Sequence, residues 1–486
     1  MSSFQTAVGV FGVLLLAGAL LSGLVRRSVL SLAALFVLAG FILGDGATGV
    51  LHFTAGSGFV SDLTTVALVV ILFRDGLEVE GELLQAHWHL PVRKLVIGMP
   101  ITAAIVALVA HFAIGLSWVE AFLLGALLSP TDPVLSSAVV TDPRVPPVIR
   151  HSLNLESGLN DGLALPAVLA LAAALDATSD HFVWWHFVLQ DLSLGFAFGV
   201  ACGLIGSVLM PRAGRGRLDY PIPSYQKALY GLGIAFATYG VTVLPPRGNG
   251  LIAVFVAAIV LGIRRPDLRH HFAEGVQEIA EIVKLGVFVV FGSLLTIHGL
   301  FADGWAAIAV VAATLFLARP VAICVALAGT RLGAAATAFM AWFGPKGVAT
   351  MTFSLLVLGR HIAAAPRIFN IAALAVLLFH HPARHHRHAG DELDSPPPTT
   401  QPGGSVTRRR RRTHPARLPG RTESTPSQAC RLAFNPAPIL ARPLNVGMNA
   451  GWSEADTSSC VRASGWATCQ TVPAAPIGPE RMAVVA

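Results

Sequence analysis

Charge is scarce in this chain. Only 13% of its residues are Asp, Glu, Lys or Arg, against 54% that are apolar. That is too little polar surface for a soluble globule, and it points to a protein whose solvent is lipid. Cysteine is scarce as well, with five in 486 residues. Cys202 and Cys324 lie in apolar stretches and the other three in the C-terminal tail. With no paired spacing among them, neither a disulfide framework nor a zinc site is indicated. A formal charge of +7 would suit a nucleic-acid partner, but the excess sits in loops and in the tail, which excludes that reading. Basic residues are also missing before the first apolar run, Phe4 to Val25; Arg26 and Arg27 follow it instead. A cleaved secretory signal carries its positive charge first, so this run reads as a first span with the N-terminus outside.

What fills the chain is a series of apolar runs near the roughly 20 residues that a bilayer demands. They recur at about 4–25, 28–50, 58–75, 95–116, 119–140, 151–175, 187–210, 225–244, 248–263, 279–298, 305–330 and 335–358. A thirteenth begins at Ile368. With the N-terminus outside, the loops alternate, and fifteen basic residues fall in cytoplasmic loops against three, Arg247, Arg360 and Arg367, in external ones. This is a strong positive-inside bias; Arg93 and Lys94 are among the cytoplasmic set. Residues 77–94, LEVEGELLQAHWHLPVRK, are amphipathic and predict a segment lying along the membrane surface. Asp176 and Asp180 beside Trp184 and Trp185 predict an interfacial anchor with a mildly cation-attracting mouth on the external side.

The stretch from Ser129 to Asp161 breaks the apolar pattern. Thr131 and Asp132 sit mid-span between Pro130 and Pro133, and Glu156, Ser157, Asn160 and Asp161 cluster in the next span. An ionisable group at membrane depth costs roughly 2.5–3.5 kcal/mol on insertion scales, so its default reading is a functional site. The prolines remove backbone donors and interrupt the first helix, and unwound backbone survives at that depth only inside protein or along a wet cavity. In the second helix Ser157 and Asp161 share a face, Glu156 and Asn160 the adjacent one, which gives one wall of a small oxygen-rich cage. Three basic residues remain inside spans. Lys284 follows Glu278 and Glu281 and reads as a snorkelling surface pair. Arg319 lies mid-span and needs a buried acid, for which Glu156 is the candidate. Lys346 lies in FGPKGVA, where Gly344, Pro345 and Gly347 mark a second interrupted helix. One broken segment in each half is the mark of an inverted-repeat transporter.

Taken together, LFRDGLEVE, ALLSPTDPV, NLESGLNDG, Arg319-Pro320 and WFGPKGVATMTFSLL, in that order over most of residues 55–378, resemble the monovalent cation:proton antiporters, in particular the NhaP-like branch. The resemblance implies an all-α membrane fold of about thirteen helices with two inverted repeats, a dimerisation part and a mobile ion-carrying core. It implies exchange of sodium or potassium for protons across the cell membrane by a homodimer. Asp161 would take either the cation or the proton, and Ser157 and Thr131 would add oxygen ligands to the transported metal ion. Asn160 would complete the Asn-Asp pair associated with electroneutral exchange. Glu156 would pair structurally with Arg319, and Asp132 would balance the facing helix ends. Lys346 stands where many relatives have arginine, so its role stays open, as does the choice for Asp132 between a structural and an ion-binding part. No cofactor and no enzymatic step is required. The alternatives are a passive cation channel and a regulatory protein that has lost transport.

From 379 to 486 the chain turns rich in His, Arg, Pro and Ser without periodicity, which predicts disorder on the cytoplasmic side. Its basic run at Arg408–Arg412 suits anionic lipid. The apolar run from Ile368 to Phe379 is short for a span at roughly 1.5 Å per residue. Codons for FHHPARHHRH, read one nucleotide later, permit Ser-Ile-Ile-Leu-His-Gly-Thr-Thr-Asp-Thr, which completes the span as relatives do. Two origins follow: a natural disordered tail, or translation from a shifted frame beyond about residue 379. The coding DNA decides between them, since the second requires the shifted frame to stay open and a stop within a few triplets rules it out.

Overall fold

The computed structural model describes residues 3–25, 32–79, 88–132, 145–177, 183–209, 223–245, 247–330, 332–342, 344 and 346–379. Within them the secondary structure is helical. In chain order the helices of eight or more residues are α1 (Ser3–Val25), α2 (Leu32–Leu43), α3 (Gly58–Leu77), α4 (His89–Ile114), α5 (Trp118–Leu128), α6 (Pro147–Leu175) and α7 (Trp184–Leu209). They continue with α8 (Ser224–Val243), α9 (Gly250–Arg264), α10 (Pro266–Ser293), α11 (Gly304–Ala326), α12 (Ala334–Trp342), α13 (Val348–Leu358) and α14 (Ala365–Phe379). Each apolar run read from the sequence includes a helix among the described residues. Four stretches, His89–Ile114, Gly158–Leu175, Trp184–Leu209 and Gly304–Ala326, are long and apolar enough to cross a bilayer by length and composition alone.

Local chemistry explains the ends that matter. Ser117 and Glu120 form a capping box that opens α5. The same helix stops at Leu128 because Pro130 cannot continue it. α4, α7 and α11 each carry a π-helical turn, at Lys94–Gly98, Phe187–Leu192 and Thr314–Ala318. Such turns insert one extra residue and rotate the following side chains about the axis. Two of them adjoin Lys94 and Arg319.

The packing sorts most helices into two sets. α2 lies along α10, and α7, α8 and α9 pack together. α4 packs on α5 and α11, α5 on α6, α11 on α12, and α13 on α14. α3 touches both sets, meeting α9 and α10 on one side and α6 and α13 on the other. Its residues Ala67 to Phe73 are buried throughout. That seam is where the ionisable residues gather.

The amphipathic reading of residues 77–94 needs correction at its end. His89 to Lys94 form the first turns of α4, and the Lys94 side chain is 0% exposed. Glu80 to His87 lie outside the described residues, as do Arg26, Arg27 and the tail from 380 onward. α14 begins at Ala365, three residues before the run read from Ile368.

At the α2–α10 contact, backbones touch. A Cβ on Gly292 would come within 2.1 Å of the Val37 carbonyl oxygen, and the obstacle is backbone that cannot rotate away. Gly292→Val therefore forces the helices apart and destabilises by about 1–3 kcal/mol or more, read as a lowered melting temperature in detergent. Gly233→Val on α8, where nothing lies within 4 Å, leaves the melting temperature at the parent value.

Candidate functional site

Two interrupted helices position the site. α5 gives way to irregular chain at residues 129–132, and α12 ends at Trp342, six residues before α13 begins at Val348. The breaks cross. The Val348 amide donates to Asp132 Oδ2 at 2.9 Å, so a carboxylate caps the N-terminus of α13. Lys346 Nζ donates to the carbonyls of Pro130 at 3.1 Å and Ser129 at 3.4 Å, so an ammonium caps the C-terminus of α5. Each charge has the sign that its helix end favours. Thr350 Oγ1 closes the crossing by donating to the Leu127 carbonyl at 3.2 Å. The approach is so close that a Cβ on Gly347 would lie 2.1 Å from Asp132 Oδ2, and one on Gly344 2.0 Å from Arg319 Nε. This is why FGPKG carries glycines on both sides of its lysine.

Against this crossing lies the middle of α6. Glu156 is buried and holds two cations, Lys94 Nζ at 2.6 Å on Oε2 and Arg319 Nη2 at 3.0 Å on Oε1. Thr131 Oγ1 stands 3.5 Å from Oε1 as a weak third donor. The structure thus brings Glu156 to Arg319 and adds Lys94, which the sequence placed in a cytoplasmic loop. Lys94 also donates to the Ser152 carbonyl at 3.1 Å, tying α4 to α6 twice. One turn further along α6, Asn160 Nδ2 donates to the Thr131 carbonyl at 2.7 Å and to its hydroxyl at 3.1 Å. Thr131 is therefore the strut between the broken helix and α6, with both its oxygens engaged. The Ser157 side chain lies outside the described residues.

Asp161 completes the site. Its Oδ1 and the neighbouring Asn160 Oδ1 are both buried, and neither has a hydrogen-bond partner among the described residues. Buried acceptors are nearly always satisfied, so two unsatisfied oxygens on consecutive residues call for a water, an ion or a proton. Asp161 lies within electrostatic reach of Asp75, Asp132, Lys284 and Arg74. Asp75 sits near the end of α3, with a side chain 11% exposed and an oxygen 4.0 Å from Arg74 Nε. Sequence reading used Asp75 only as part of a motif. Its signal was available: an acid two residues after Phe73, where an unbroken buried apolar run from Ala67 ends.

Lys284 also differs from expectation. It does pair with Glu281, at 3.1 Å, but its side chain is only 3% exposed, so it does not snorkel to the surface. Val276, Ala280, Val287 and Phe291 are all buried on the same face of α10, and Lys284 falls in their row. At the other ends of α3, α8 and α9, Ser61, Thr65, Asp191, Tyr239, Asn249 and Arg360 line part of a cavity of about 270 Å³.

A family model described as "Sodium/hydrogen exchanger, transmembrane" matches residues 12–380. The chain is 24% identical over 388 residues to the K(+)/H(+) antiporter NhaP of Alkalimonas amylolytica, covering 78% of this chain and 65% of that one. It is 23% identical over 366 residues to the K(+)/H(+) antiporter NhaP2 of Shewanella sp. (strain ANA-3), covering 74% and 62%. It thus spans less than two thirds of the length of these relatives. Against the probable Na(+)/H(+) antiporter 2 of Methanocaldococcus jannaschii the identity is 23% over 326 residues, covering 63% and 74%. Among solved structures, the sodium proton antiporter MjNhaP1 of Methanocaldococcus jannaschii at pH 8 superposes with a TM-score of 0.66 at 18% identity, covering 78% of this chain and 96% of that one. The fold is shared.

The geometry around Glu156 sets an order of stability. One carboxylate serves two cations, so Glu156→Gln strands both, whereas Arg319→Gln leaves a neutral Lys94–Glu156 pair. Breaking a buried pair costs roughly 3–5 kcal/mol through the stranded charge. Glu156→Gln should lower the melting temperature in detergent clearly more than Arg319→Gln or Lys94→Gln does. Equal losses in all three variants would show that the cations do not share the carboxylate.

Proposed function

This chain belongs to the sodium/hydrogen exchanger family, and we propose that it is a cell-membrane antiporter exchanging sodium or potassium for protons, the two competing for Asp161. The observation that carries the reading is the pair of buried oxygens, Asp161 Oδ1 and Asn160 Oδ1, that no donor in the described protein satisfies. A carboxylate oxygen and an amide oxygen on consecutive residues offer hard, oxygen-only ligands of the kind alkali cations take. The same carboxylate binds a proton in the cation's absence. One site that accepts either passenger, exposed alternately to the two sides, suffices for exchange.

The other named residues then have distinct parts. Asn160 is oriented by its two hydrogen bonds to Thr131, which leaves its carbonyl oxygen for the cation. Ser157, four residues before Asp161 on the same helix, is the further oxygen ligand of this reading. Thr131 acts through Asn160. Asp132 and Lys346 hold the crossing, and Glu156 with Lys94 and Arg319 ties α6 to α4 and α11. The set α4–α6 and α11–α14 is the ion-carrying core; α1, α2 and α7–α10 are the frame, and α3 lies at the seam. The polar cavity at the remote ends of α3, α8 and α9 supports access from the second side. The reading includes thirteen spans in a homodimer, with the N-terminus outside and the C-terminal tail in the cytoplasm, as the loop charges favour.

Proteoliposomes or everted vesicles test it. Adding sodium or potassium should release protons, and Asp161→Asn should abolish this while leaving the protein inserted and folded. With one cation exchanged per proton, an imposed membrane potential should leave the rate unchanged. Exchange at the parent rate in Asp161→Asn overturns the site. A flux that follows voltage without proton release marks a channel instead, and a protein without either flux marks a regulator.

A further inference from the structure

A second cavity, of about 520 Å³, lies where α4 and α6 begin and α11 ends. α4 lends it His89, Leu90 and Arg93, and α6 lends Val148. Gly329, Thr330 and Leu332, in the turn after α11, complete the lining, which holds no carboxylate. Arg93 is fixed there: its Nη2 donates to the Ala328 carbonyl at 2.8 Å. That bond uses one of the five donors of a guanidinium, and no carboxylate among the described residues takes the others. The floor is firm, because Leu90 is buried in one cluster with Ile149, Ile323, Leu327 and Met340. Beside the turn there is room: Gly329, at φ 74°, has nothing within 4 Å of the place a Cβ would take.

Apolar surface adjoins this basic pocket. Val96 and Ile97, three and four residues after Arg93, are exposed, and so are Val321 and Val325 on α11. The two helices touch close by, where a Cβ on Gly98 would stand 3.7 Å from Ala326 Cβ. Trp88, exposed just before α4, has the amphipathic ring that favours a membrane–water interface. We propose that the cavity binds the headgroup of an anionic phospholipid, with Arg93 and His89 on its phosphate and its acyl chains along the exposed apolar residues of α4 and α11. A guanidinium fork matches phosphate oxygens in geometry as well as charge. On the topology proposed above, this end of the bundle meets the cytoplasmic leaflet, whose surface is negative. A bound headgroup touches α4, α6 and the turn after α11 together, one residue from Lys94 and its bond to Glu156. Occupancy therefore braces the set of helices around the ion site. The inference concerns binding alone and stands whether or not Asp161 carries the ion.

Thermal unfolding of the full chain in detergent, with short-chain phosphatidylglycerol added, tests it. A ligand of the folded state raises the melting temperature. The parent should therefore rise by several degrees with phosphatidylglycerol, and by clearly less with phosphatidylcholine of the same chain length. Arg93→Gln should weaken the binding on the order of tenfold or more, as loss of a charged hydrogen bond does. That variant also loses the bond to Ala328, so its lipid-free melting temperature falls too, and the shift on adding lipid is the deciding quantity. His89→Glu alters an exposed residue and sets a carboxylate beside the phosphate. It should remove most of the shift and leave the lipid-free melting temperature at the parent value. The basic run in the tail suits the same lipid, but neither substitution touches it. Equal shifts with the two lipids overturn the proposal, as does a parent-sized shift in both variants. Glycerol phosphate, the headgroup without chains, should give no shift at the same concentration; an equal shift overturns the lipid in favour of a soluble phosphate compound. Should Arg93→Gln fail to fold, His89→Glu decides by itself.

Discussion

Backbone groups freed in the middle of a membrane have no water to turn to, and each left unpaired costs several kcal/mol. Two breaks facing each other solve this only if something of the right sign stands at each helix end. In this chain Asp132 meets the amide end of α13, and Lys346 meets the carbonyl end of α5. The charges are exchanged across the crossing: the carboxylate comes from the break after α5 and the ammonium from the break before α13. Neither broken helix is complete without the other. The spacing of the remaining site follows, because Thr131, one residue from Asp132, is the point on which Asn160 is hung.

Much of this was legible. Pro130 and Pro133 announce one break, and Gly344, Pro345 and Gly347 the other. A mid-span arginine announces that an acid must be near, and Glu156 is 3.0 Å away. The crossing itself could not be read, because nothing in either motif says which carbonyl an ammonium will reach. Lys94 was hidden for a physical reason. Next to Arg93 at the edge of an apolar run it has the look of a loop flank, yet it opens a π-helical turn inside the bundle, with its ammonium 2.6 Å from Glu156.

Lys284 was misread for the opposite reason. Two glutamates, at 278 and 281, gave it an obvious surface role at helical spacing. The stronger signal was the apolar row at 276, 280, 287 and 291, which places position 284 inside. Where a charge falls in register with an apolar row, burial outranks the neighbouring opposite charge as a guide to its place. Asp75 follows the same rule on α3, where the positions before it are buried without interruption from Ala67 to Phe73.

The charges taken together bear on stoichiometry. The ionisable groups linked to Asp161 directly or through one another are Asp75, Glu78, Asp132, Glu156 and Glu281 on the acidic side. On the basic side they are Arg74, Lys94, Lys284, Arg319 and Lys346. With Asp161 that makes six carboxylates against five cations, a formal deficit of one positive charge. Under the proposed reading one monovalent cation or one proton would complete this formal set, and a second would overcharge a region where uncompensated charge is expensive. Asn160, uncharged where a further carboxylate would open a second vacancy, keeps the count there. The proposed one-for-one exchange agrees with this count. It also explains why a fold that needs so few charged residues spends so many of them on one seam.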